Sequence, residues 1–306
     1  MNVLLIGGGR RTELAWRFIE RGYSVYAYEL DRRVPIAYVA RIIEGYSWDD
    51  VQIVHHLIET IEENDINLVL PLMDAATPIC ALLPETPDCK IVVSNGTTAS
   101  KCFDKEKFRD FMLQYFRDIY PADSAHFPKI AKPRFGCGSR DIVIIKNRDE
   151  YARFSLDNRL CDYVIQQLII GTEYSVDAYF DANCKYVDSI PRERIRTCGE
   201  VITSKIVPRP SAEIFQYWAE LVGEKLKIKG PCNMQFKMCD MTNYLYLFEV
   251  NARFGGGWTF SMEAGLDAIS LIERDFFGRD FEYTPNQWKD NLLLERSYED
   301  HYFETT

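Results

Sequence analysis

The stretch FEVNARFGGG at residues 248–257 places an acid, an amide, an arginine and three glycines at the end of an apolar strand. Glu249 and Asn251 are two positions apart, so both side chains point to one face of a β-strand. Gln235, in the preceding predicted strand, can lie beside them on that face. This convergence of oxygen donors predicts a magnesium site, because Mg²⁺ takes hard oxygen ligands and completes its shell with substrate phosphates and water.

Arg253 continues the same alternating face, where a guanidinium can hold a phosphoryl group while negative charge spreads over its oxygens. The glycines at 255–257 let backbone N–H groups approach an oxyanion. In the purely structural alternative, Glu249 and Arg253 form a cross-strand salt bridge and the glycines form a loop. Such residues rarely coincide by accident, so the pattern favours a phosphate-handling site.

A second motif, PKIAKPRFGCGSR at residues 128–140, reads as a strand that ends in Lys132 and a glycine-containing turn. A flexible loop of this composition can fold over phosphates and offer backbone N–H donors, with Lys132 as the positive charge. A plain turn between two strands is the alternative interpretation. The spacing is not that of a P-loop, so that class of nucleotide enzyme is not supported.

A third motif, VIQQLIIGTEYSVD at residues 164–177, combines an apolar strand, a glycine bend and an alternating strand. The edge from Gln167 through Leu168 to Ile169 can present backbone groups to adenine, and Glu173 can accept hydrogen bonds from ribose hydroxyls. A hairpin with a solvent-facing glutamate is the alternative that the motif by itself leaves open.

Upstream of these motifs, strands and helices alternate through about residue 95, which predicts a parallel sheet with helices on its faces. After this point the predicted elements change to pairs of strands rich in Val, Ile and Tyr. We therefore place a domain boundary near 95–103. The resulting fold class is α/β followed by α+β. The predicted elements are strands at 3–6, 23–30, 68–71, 90–93, 130–132, 142–146, 163–167, 173–180, 232–239 and 244–250, and helices at 12–21, 49–63, 105–116 and 212–226.

The glycines at 7–9 follow the first strand, and Glu29 lies near the end of the second. This arrangement invites a rival interpretation, an NAD-dependent oxidoreductase with a dinucleotide-binding turn. The pattern GGGRRT lacks the third glycine that packs helix against strand, and Arg10 and Arg11 crowd the turn. Either arginine can instead face an anionic substrate.

The composition excludes several classes of function. The chain has 306 residues with 36 basic and 46 acidic side chains and a net charge of −10, and no basic run is dense enough to neutralise a nucleic-acid backbone. Its nine scattered cysteines predict reduced thiols in a cytoplasmic protein. No stretch approaches the length of a membrane span. We therefore expect neither a nucleic-acid nor a membrane partner, and we leave a homodimer open.

An ordered set of short motifs resembles the ATP-grasp superfamily: Asp104-Lys105, Lys132 with its glycine loop, the segment from Gln167 to Glu173, Gln235, and Glu249-x-Asn251-x-Arg253. The likeness is greatest to the branch that contains the large subunit of carbamoyl phosphate synthase and its stand-alone relatives. It implies a Rossmann-like pre-ATP-grasp domain at 1–95 and a two-lobed ATP-grasp domain at 96–306, with a mobile lid subdomain at about 124–168. The chain holds one such unit and few lid glycines, which argues against carbamoyl phosphate synthesis itself.

The resemblance also implies a role for each matching residue. Lys105 and Lys132 would contact the ATP phosphates, and Gly136, Gly138 and Ser139 would belong to the lid loop. Gln167, Leu168, Ile169 and Glu173 would hold the adenosine; Gln235, Glu249 and Asn251 would hold Mg²⁺, with Mn²⁺ as an alternative; Arg253 would hold the γ-phosphate. The stretch 192–200, which we expect to join two strands, would lie near the phosphates, where Arg194 or Arg196 would hold phosphate or substrate; a solvated charged loop is the alternative.

These expectations describe an ATP- and Mg²⁺-dependent ligase that activates a carboxylate as an acyl phosphate for attack by an amine or another nucleophile. Arg253, Lys132 and Arg196 are its predicted catalytic residues, and its predicted partners are small-molecule carboxylates and amines. Simple kinase chemistry and a non-catalytic nucleotide-binding module are the remaining alternatives.

Overall fold

A computed structural model describes residues 1–136, 141–198, 200–297 and 299–303 of the protein. Its N-terminal part forms a parallel sheet of strand order β3-β2-β1-β4-β5. The strands are β1 (Asn2–Ile6), β2 (Ser24–Glu29), β3 (Arg41–Glu44), β4 (Leu68–Pro71) and β5 (Lys90–Ile91), and the helices are α1 (Thr12–Glu20), α2 (Ile53–Glu63) and α3 (Ala76–Cys80). Residues 3–6 of β1 are fully buried, as expected for a central strand covered on both faces.

Two helices follow the parallel sheet, α4 (Gly96–Phe103) and α5 (Lys105–Tyr115). Asn95 caps α4 by accepting a hydrogen bond from the Thr98 N–H, and Asp104 caps α5 through the Glu106 N–H. These are favoured N-cap residues, because their side chains satisfy N–H groups that have no partner inside the helix. The predicted boundary region at 95–103 is therefore helical, an element that its polar composition did not reveal.

A small lobe comes next, with β6 (Lys129–Pro133), β7 (Val143–Ile145), α6 (Arg148–Asp157) and β8 (Tyr163–Gln167). Its strands pair antiparallel in the order β7-β6-β8. Ala131, Ile145 and Phe154 form a separate small core, against which Phe127 and other apolar side chains pack.

The remaining chain builds a six-stranded antiparallel sheet of order β13-β12-β9-β10-β11-β14. The strands are β9 (Gly171–Phe180), β10 (Tyr186–Cys198), β11 (Glu200–Ile206), β12 (Gly230–Cys239), β13 (Leu245–Asn251) and β14 (Leu293–Glu295), and the helices are α7 (Arg209–Leu226), α8 (Trp258–Ala264) and α9 (Ala268–Phe277). Short 3₁₀ turns lie at Pro35–Tyr38, Arg117–Ile119 and Leu160–Asp162. The predicted fold class is confirmed.

The basic stretch at 192–200 differs from its prediction, because residues 192–198 belong to a strand and not to a connection between strands. β10 continues to Cys198, and β11 begins at Glu200. The pairing of β10 with β11 shifts register between Arg194 and Arg196, so Ile195 forms a bulge. A bulge turns the side chains that follow it away from their regular face.

One large apolar core connects the parallel sheet to the six-stranded sheet. It contains Leu5 and Phe18 from the N-terminal part together with Val176, Phe215 and Leu247 from the C-terminal part. The other face of the parallel sheet has a core of its own, formed with α2 and α3. The two sheets are thus packed into one body, whereas the small lobe carries its separate core.

Candidate active site

A cleft of about 780 Å³ lies between the small lobe and the six-stranded sheet, and loops of the parallel sheet reach its rim. It collects most of the site residues predicted from sequence. Those that line it are Lys105, Lys132, Gly136, Gln167, Leu168, Ile169, Glu173, Gln235, Glu249, Asn251 and Arg253. Gly138 and Ser139 lie outside the described residues.

The predicted metal ligands lie on two neighbouring strands. Gln235 of β12 is directly paired with Glu249 of β13, and Asn251 is paired with Asn233. Among the described residues, none is hydrogen-bonded to the side chain of Gln235, Glu249 or Asn251, and no group of three or more His, Cys, Asp and Glu forms a metal cluster. One carboxylate and two amide oxygens suit a hard cation that keeps open positions for other oxygen ligands.

A register shift in the β12–β13 pairing follows Gln235, where Phe236 pairs with Leu247 instead of Phe248. This irregularity lets the consecutive residues Phe248 and Glu249 both line the cleft. The ammonium of Lys132 lies 4.4 Å from the centre of the Phe248 ring. Burial lowers the pKa of Lys132 to about 8 and Lys105 adds to this effect, although Glu249 opposes it. The lysine loses its charge at a lower pH than an ordinary lysine, and an anion bound beside it would stabilise the ammonium form.

Residues 167–169 were predicted to present backbone groups to adenine, and some of these groups already form hydrogen bonds within the protein. The N–H groups of Gln167 and Leu168 donate to the carbonyl oxygens of Pro121 and Pro128. Among the described residues, no carbonyl accepts the N–H of Ile169. Within the predicted adenine edge, Ile169 therefore carries the available backbone donor.

Glu173, predicted to meet the ribose, forms an ion pair with Arg194 of 3.0 Å between Oε1 and Nη1. Burial lowers the pKa of Arg194, although Glu173 opposes this effect. The Nε atom of Arg194 is buried and has no hydrogen-bond partner among the described residues. The two side chains face each other inside the cleft, so a ligand bound there meets both.

Arg196 is not part of the cleft. Its side chain is 63% exposed, and its guanidinium pairs with Glu295 of β14 at 3.1 Å. The reason is the bulge at Ile195, which breaks the alternation that would otherwise place Arg192, Arg194 and Arg196 on one face. Arg192, which we did not single out from sequence, lines the cleft together with Arg194.

Arg192 belongs to a buried polar network. Its side chain is 2% exposed, and its Nε donates to Oδ2 of Asp177 at 2.9 Å. Asp177, which is fully buried, also accepts hydrogen bonds from the Asn233 amide at 2.6 Å and from the Ser261 hydroxyl at 2.7 Å. The Nη1 atom of Arg192 is buried without a partner among the described residues. No sequence signal links these positions, since they come from four separate elements.

Asp74 reaches the cleft from the loop after β4, and the guanidinium of Arg253 donates to its carboxylate. Arg253 also donates to the Phe254 carbonyl at 2.9 Å. Sequence reasoning missed Asp74, because nothing in PLMDAA marks it as a partner of a residue 179 positions away. The N-terminal part of the chain thus contributes directly to the site.

The glycine turn at 7–9 already forms a hydrogen bond with a side chain of the same chain. Glu29 Oε1 accepts the Gly9 N–H at 2.7 Å, and burial raises the pKa of this carboxyl despite the hydrogen bonds that it accepts. A dinucleotide site would need that N–H for a pyrophosphate and that acid for a ribose hydroxyl. Because the two groups satisfy each other, this arrangement counts against the NAD interpretation.

Residues 159–295 match the model of a family described as ATP-grasp in the biosynthetic pathway with Ter operon. The fold resembles the biotin carboxylase domain of 2-oxoglutarate carboxylase from Hydrogenobacter thermophilus, solved with MgADP, ADP and bicarbonate, with a TM-score of 0.75 and 16% identity over 95% of this chain and 73% of that one.

Two further solved structures share the fold. N5-carboxyaminoimidazole synthetase from Staphylococcus aureus, complexed with ADP, has a TM-score of 0.69 and 16% identity over 92% of this chain and 78% of its own. L-amino acid ligase from Bacillus licheniformis has a TM-score of 0.66 and 17% identity over 90% of this chain and 73% of its own. The superfamily resemblance is confirmed, and the likeness to the carbamoyl phosphate synthase branch stays a prediction. In the described ranges, no helix has the length and apolarity that crossing a bilayer requires.

Proposed function

We propose that the protein is an ATP- and Mg²⁺-dependent ligase, because residues 159–295 match an ATP-grasp family model and the fold resembles solved ligases and carboxylases. It activates a carboxylate as an acyl phosphate, which an amine or another nucleophile then attacks, with release of ADP and phosphate. The observation that carries this proposal is the convergence of Lys105, Lys132, Glu249, Asn251 and Arg253 on one cleft, from separate elements of the fold.

In this proposal the nucleotide lies between the small lobe and the six-stranded sheet. Ile169 offers its backbone N–H to the adenine, while Lys105 and Lys132 face the phosphates. Glu173 accepts from the ribose, which requires it to share or release Arg194. The bound phosphates stabilise the charged form of Lys132, because an opposite charge nearby favours the ammonium.

Gln235, Glu249 and Asn251 are the proposed ligands of Mg²⁺, and their side chains suit that role because no described residue already holds them through a hydrogen bond. The cation, when bound, supplies charge neutralisation at the phosphate oxygens. Mn²⁺ takes the same kind of oxygen ligands and serves as an alternative.

During transfer, an oxygen of the substrate carboxylate attacks the γ-phosphorus and ADP leaves, so the phosphoryl group becomes part of a mixed anhydride. Arg253 stabilises the charge that develops on the equatorial oxygens, and the position of Asp74 holds the guanidinium in place. Gly255, Gly256 and Gly257 line the cleft, and in this proposal their N–H groups assist an oxyanion. The nucleophile then attacks the acyl carbon, loses a proton and displaces phosphate.

Three alternatives make different predictions. A kinase leaves the phosphoryl group on its acceptor and releases no phosphate. A non-catalytic nucleotide-binding module binds ATP without consuming it, and the metal and phosphate set in the cleft argues against that reading. An oxidoreductase needs the glycine turn that Glu29 already occupies.

The test is a screen of amino acids and small acids for release of ADP and phosphate, followed by isotope transfer with the active pair. When the carboxylate carries ¹⁸O, one labelled oxygen should appear in the released phosphate. Phosphate without the label would refute the acyl-phosphate mechanism. Stable phosphorylation of the acid, with no free phosphate, would support the kinase instead.

A further inference from the structure

One end of the cleft holds more positive charge than its acidic groups can balance. Arg11 and Arg296 share the single carboxylate of Glu200, at 2.7 Å and 2.9 Å between the nitrogen and oxygen atoms. Arg10, Arg11 and Glu200 line this end of the cleft, whereas Arg296 adjoins it through its contacts with Glu200 and the Gly256 carbonyl. No ion pair or hydrogen bond engages the Arg10 side chain within the described residues. We call Arg10, Arg11, Arg296 and Glu200 the arginine cluster; it carries three positive charges against one negative charge.

The cluster is built into the fold. Arg11 lies just before α1, Glu200 begins β11, and Arg296 follows β14 and donates to the Gly256 carbonyl at 2.7 Å. A Cβ atom at Gly256 would lie 2.8 Å from Arg11 Nη1, and one at Gly257 would collide with the guanidinium of Arg192. The two consecutive glycines therefore let guanidinium groups approach the cleft floor from both sides.

Several of these groups are available to a ligand. Arg11 Nε and Arg192 Nη1 are buried donors without an acceptor among the described residues, and the Arg192 side chain is 2% exposed. Burial lowers the pKa of Arg296, and the neighbouring Arg11 and Arg192 act in the same direction, while Glu200 opposes it. Hydrogen-bond donors without an acceptor and surplus positive charge destabilise a half-buried cleft. A bound anion would accept those hydrogen bonds and balance the charge.

We propose that the arginine cluster binds a second anionic group of the acid substrate, a carboxylate or a phosphate, distinct from the carboxylate that reacts. This inference rests on the proposed ligase function and deepens it by naming the substrate class. The substrate is an acid with at least two anionic groups.

The reacting carboxylate is a poor occupant of this position. Bonds from several guanidiniums would stabilise its charge in the ground state and thereby reduce its tendency to attack phosphorus. The predicted phosphate-handling group, Arg253, lies before the glycines, whereas the cluster lies around Gly256 on the side of Arg11 and Glu200. A spectator anion at the cluster positions the substrate without weakening the nucleophile.

The test uses calorimetry on the full chain, with and without saturating MgADP. The probes are malonate, succinate and glutarate, each compared with its monoamide, which has nearly the same shape and one charge less. Phosphonocarboxylates of the same chain lengths form a second arm, which distinguishes a phosphate from a carboxylate as the second group. At least one dianion should bind about tenfold more tightly than its monoanionic partner.

Two variants with opposite expectations sharpen the test. Arg10→Gln removes one charge from an exposed side chain and should abolish most of the preference for the dianion. Glu200→Gln increases the positive charge of the cluster and should strengthen that preference. Arg32→Gln is the matched control, because Arg32 is exposed in the same part of the chain, pairs with Glu44 and does not line the cleft.

The inference fails if no dianion in the panel is preferred to its monoanionic partner, or if Arg10→Gln and Arg32→Gln retain the same preference. Failure of MgADP to bind at all would count against the ligase function instead. A protein that binds MgADP and prefers no dianion would overturn the second-anion site while leaving the proposed reaction in place.

Discussion

Asp74, in the loop after β4, accepts a hydrogen bond from the guanidinium of Arg253, which follows β13. The side chains are 15% and 12% exposed, so the pair is largely sheltered from water. A carboxylate in this position restricts the guanidinium to the side of the cleft where phosphate is expected. The parallel sheet therefore takes part in orienting the proposed catalytic arginine.

Substituting Arg253→Ala should lower kcat by about 10²- to 10³-fold while the KM for ATP changes little, because the arginine acts mainly on charge that develops in the transition state. Asp74→Asn should lower kcat by about 10- to 100-fold, since the arginine remains but loses its orientation. Steady-state kinetics on both variants checks this. A rise in KM at normal kcat would assign Arg253 to ground-state binding, and Asp74→Glu should recover part of the loss.

The metal set predicts that ATP and Mg²⁺ bind together. Glu249→Gln and Asn251→Ala should each weaken ATP binding in the presence of Mg²⁺ and reduce the effect of EDTA, because both remove a proposed oxygen ligand. Calorimetry with and without EDTA measures this directly. Glu213→Gln, on the exposed side of α7, is the control for the loss of one negative charge. ATP affinity that ignores EDTA in the wild-type protein would exclude the metal assignment.

The lowered pKa of Lys132, about 8, predicts a proton linkage. Above this pH the free lysine is mostly neutral, and bound phosphates raise its pKa towards the ordinary value, so ATP binding should take up a proton at about pH 9 and almost none at about pH 6.5. ATP affinity should accordingly fall as the pH rises through 8. Calorimetry in buffers of different ionisation enthalpy measures the uptake, and Lys132→Met should remove it.

The buried pair of Asp177 and Arg192 predicts a large stability effect. Asp177→Ala should destabilise the protein by roughly 3–5 kcal/mol, because it leaves a buried guanidinium uncompensated. Chemical denaturation gives the free energy of unfolding. Exchanging Asp181, a partly buried acid after β9 whose carboxylate accepts backbone N–H groups and no guanidinium, for Ala provides a comparison near the same sheet. A loss below about 1 kcal/mol would mean that water or a rearranged neighbour replaces the carboxylate.

We expect amide hydrogen exchange in the small lobe to slow when nucleotide binds. Because its core is small and separate, its amides should exchange faster than those of β9 and β12 without ligand and slow down with MgATP. Mass spectrometry on peptides from 124–168 measures this. Unchanged protection of β6 and β8 in saturating MgATP would rule out a lid subdomain at these positions.

Many of the residues that line the cleft could be predicted from the two-residue period of β-strands and from the pairing of strands that are consecutive in the sequence. Glu249, Asn251 and Gln235 could be placed together because β12 and β13 form a hairpin, in which the pairing of nearby residues is strongly constrained. The Tyr163–Gln167 and Leu68–Pro71 strands were predicted with the bounds that the structure shows. Local signals suffice where partners lie close in sequence.

The missed parts depend on long-range packing. Asp74 and Arg192 enter the cleft from distant elements, and Arg296 reaches the cleft residue Glu200 from the segment after β14; each is an ordinary surface residue type in its own segment. No residue type in the sequence marks the bulge at Ile195. The bulge nevertheless determines that Arg194 faces the cleft and that Arg196 faces Glu295. The expectation for Arg196 came from the resemblance and from treating the stretch as a connection between strands, so it did not include a register shift within a continuous strand.

The core shared by the two sheets determines whether the N-terminal part of the chain can be removed or replaced. The composition changes near residue 95, but Leu5 and Phe18 before that point pack in the same core as Val176 and Phe215 after it. A chain cut at this boundary would leave a broad apolar surface on both pieces and would separate Arg11 from Glu200. The first 95 residues are therefore not a separable module, because they share a core with the rest of the chain and supply Arg11 to the cleft.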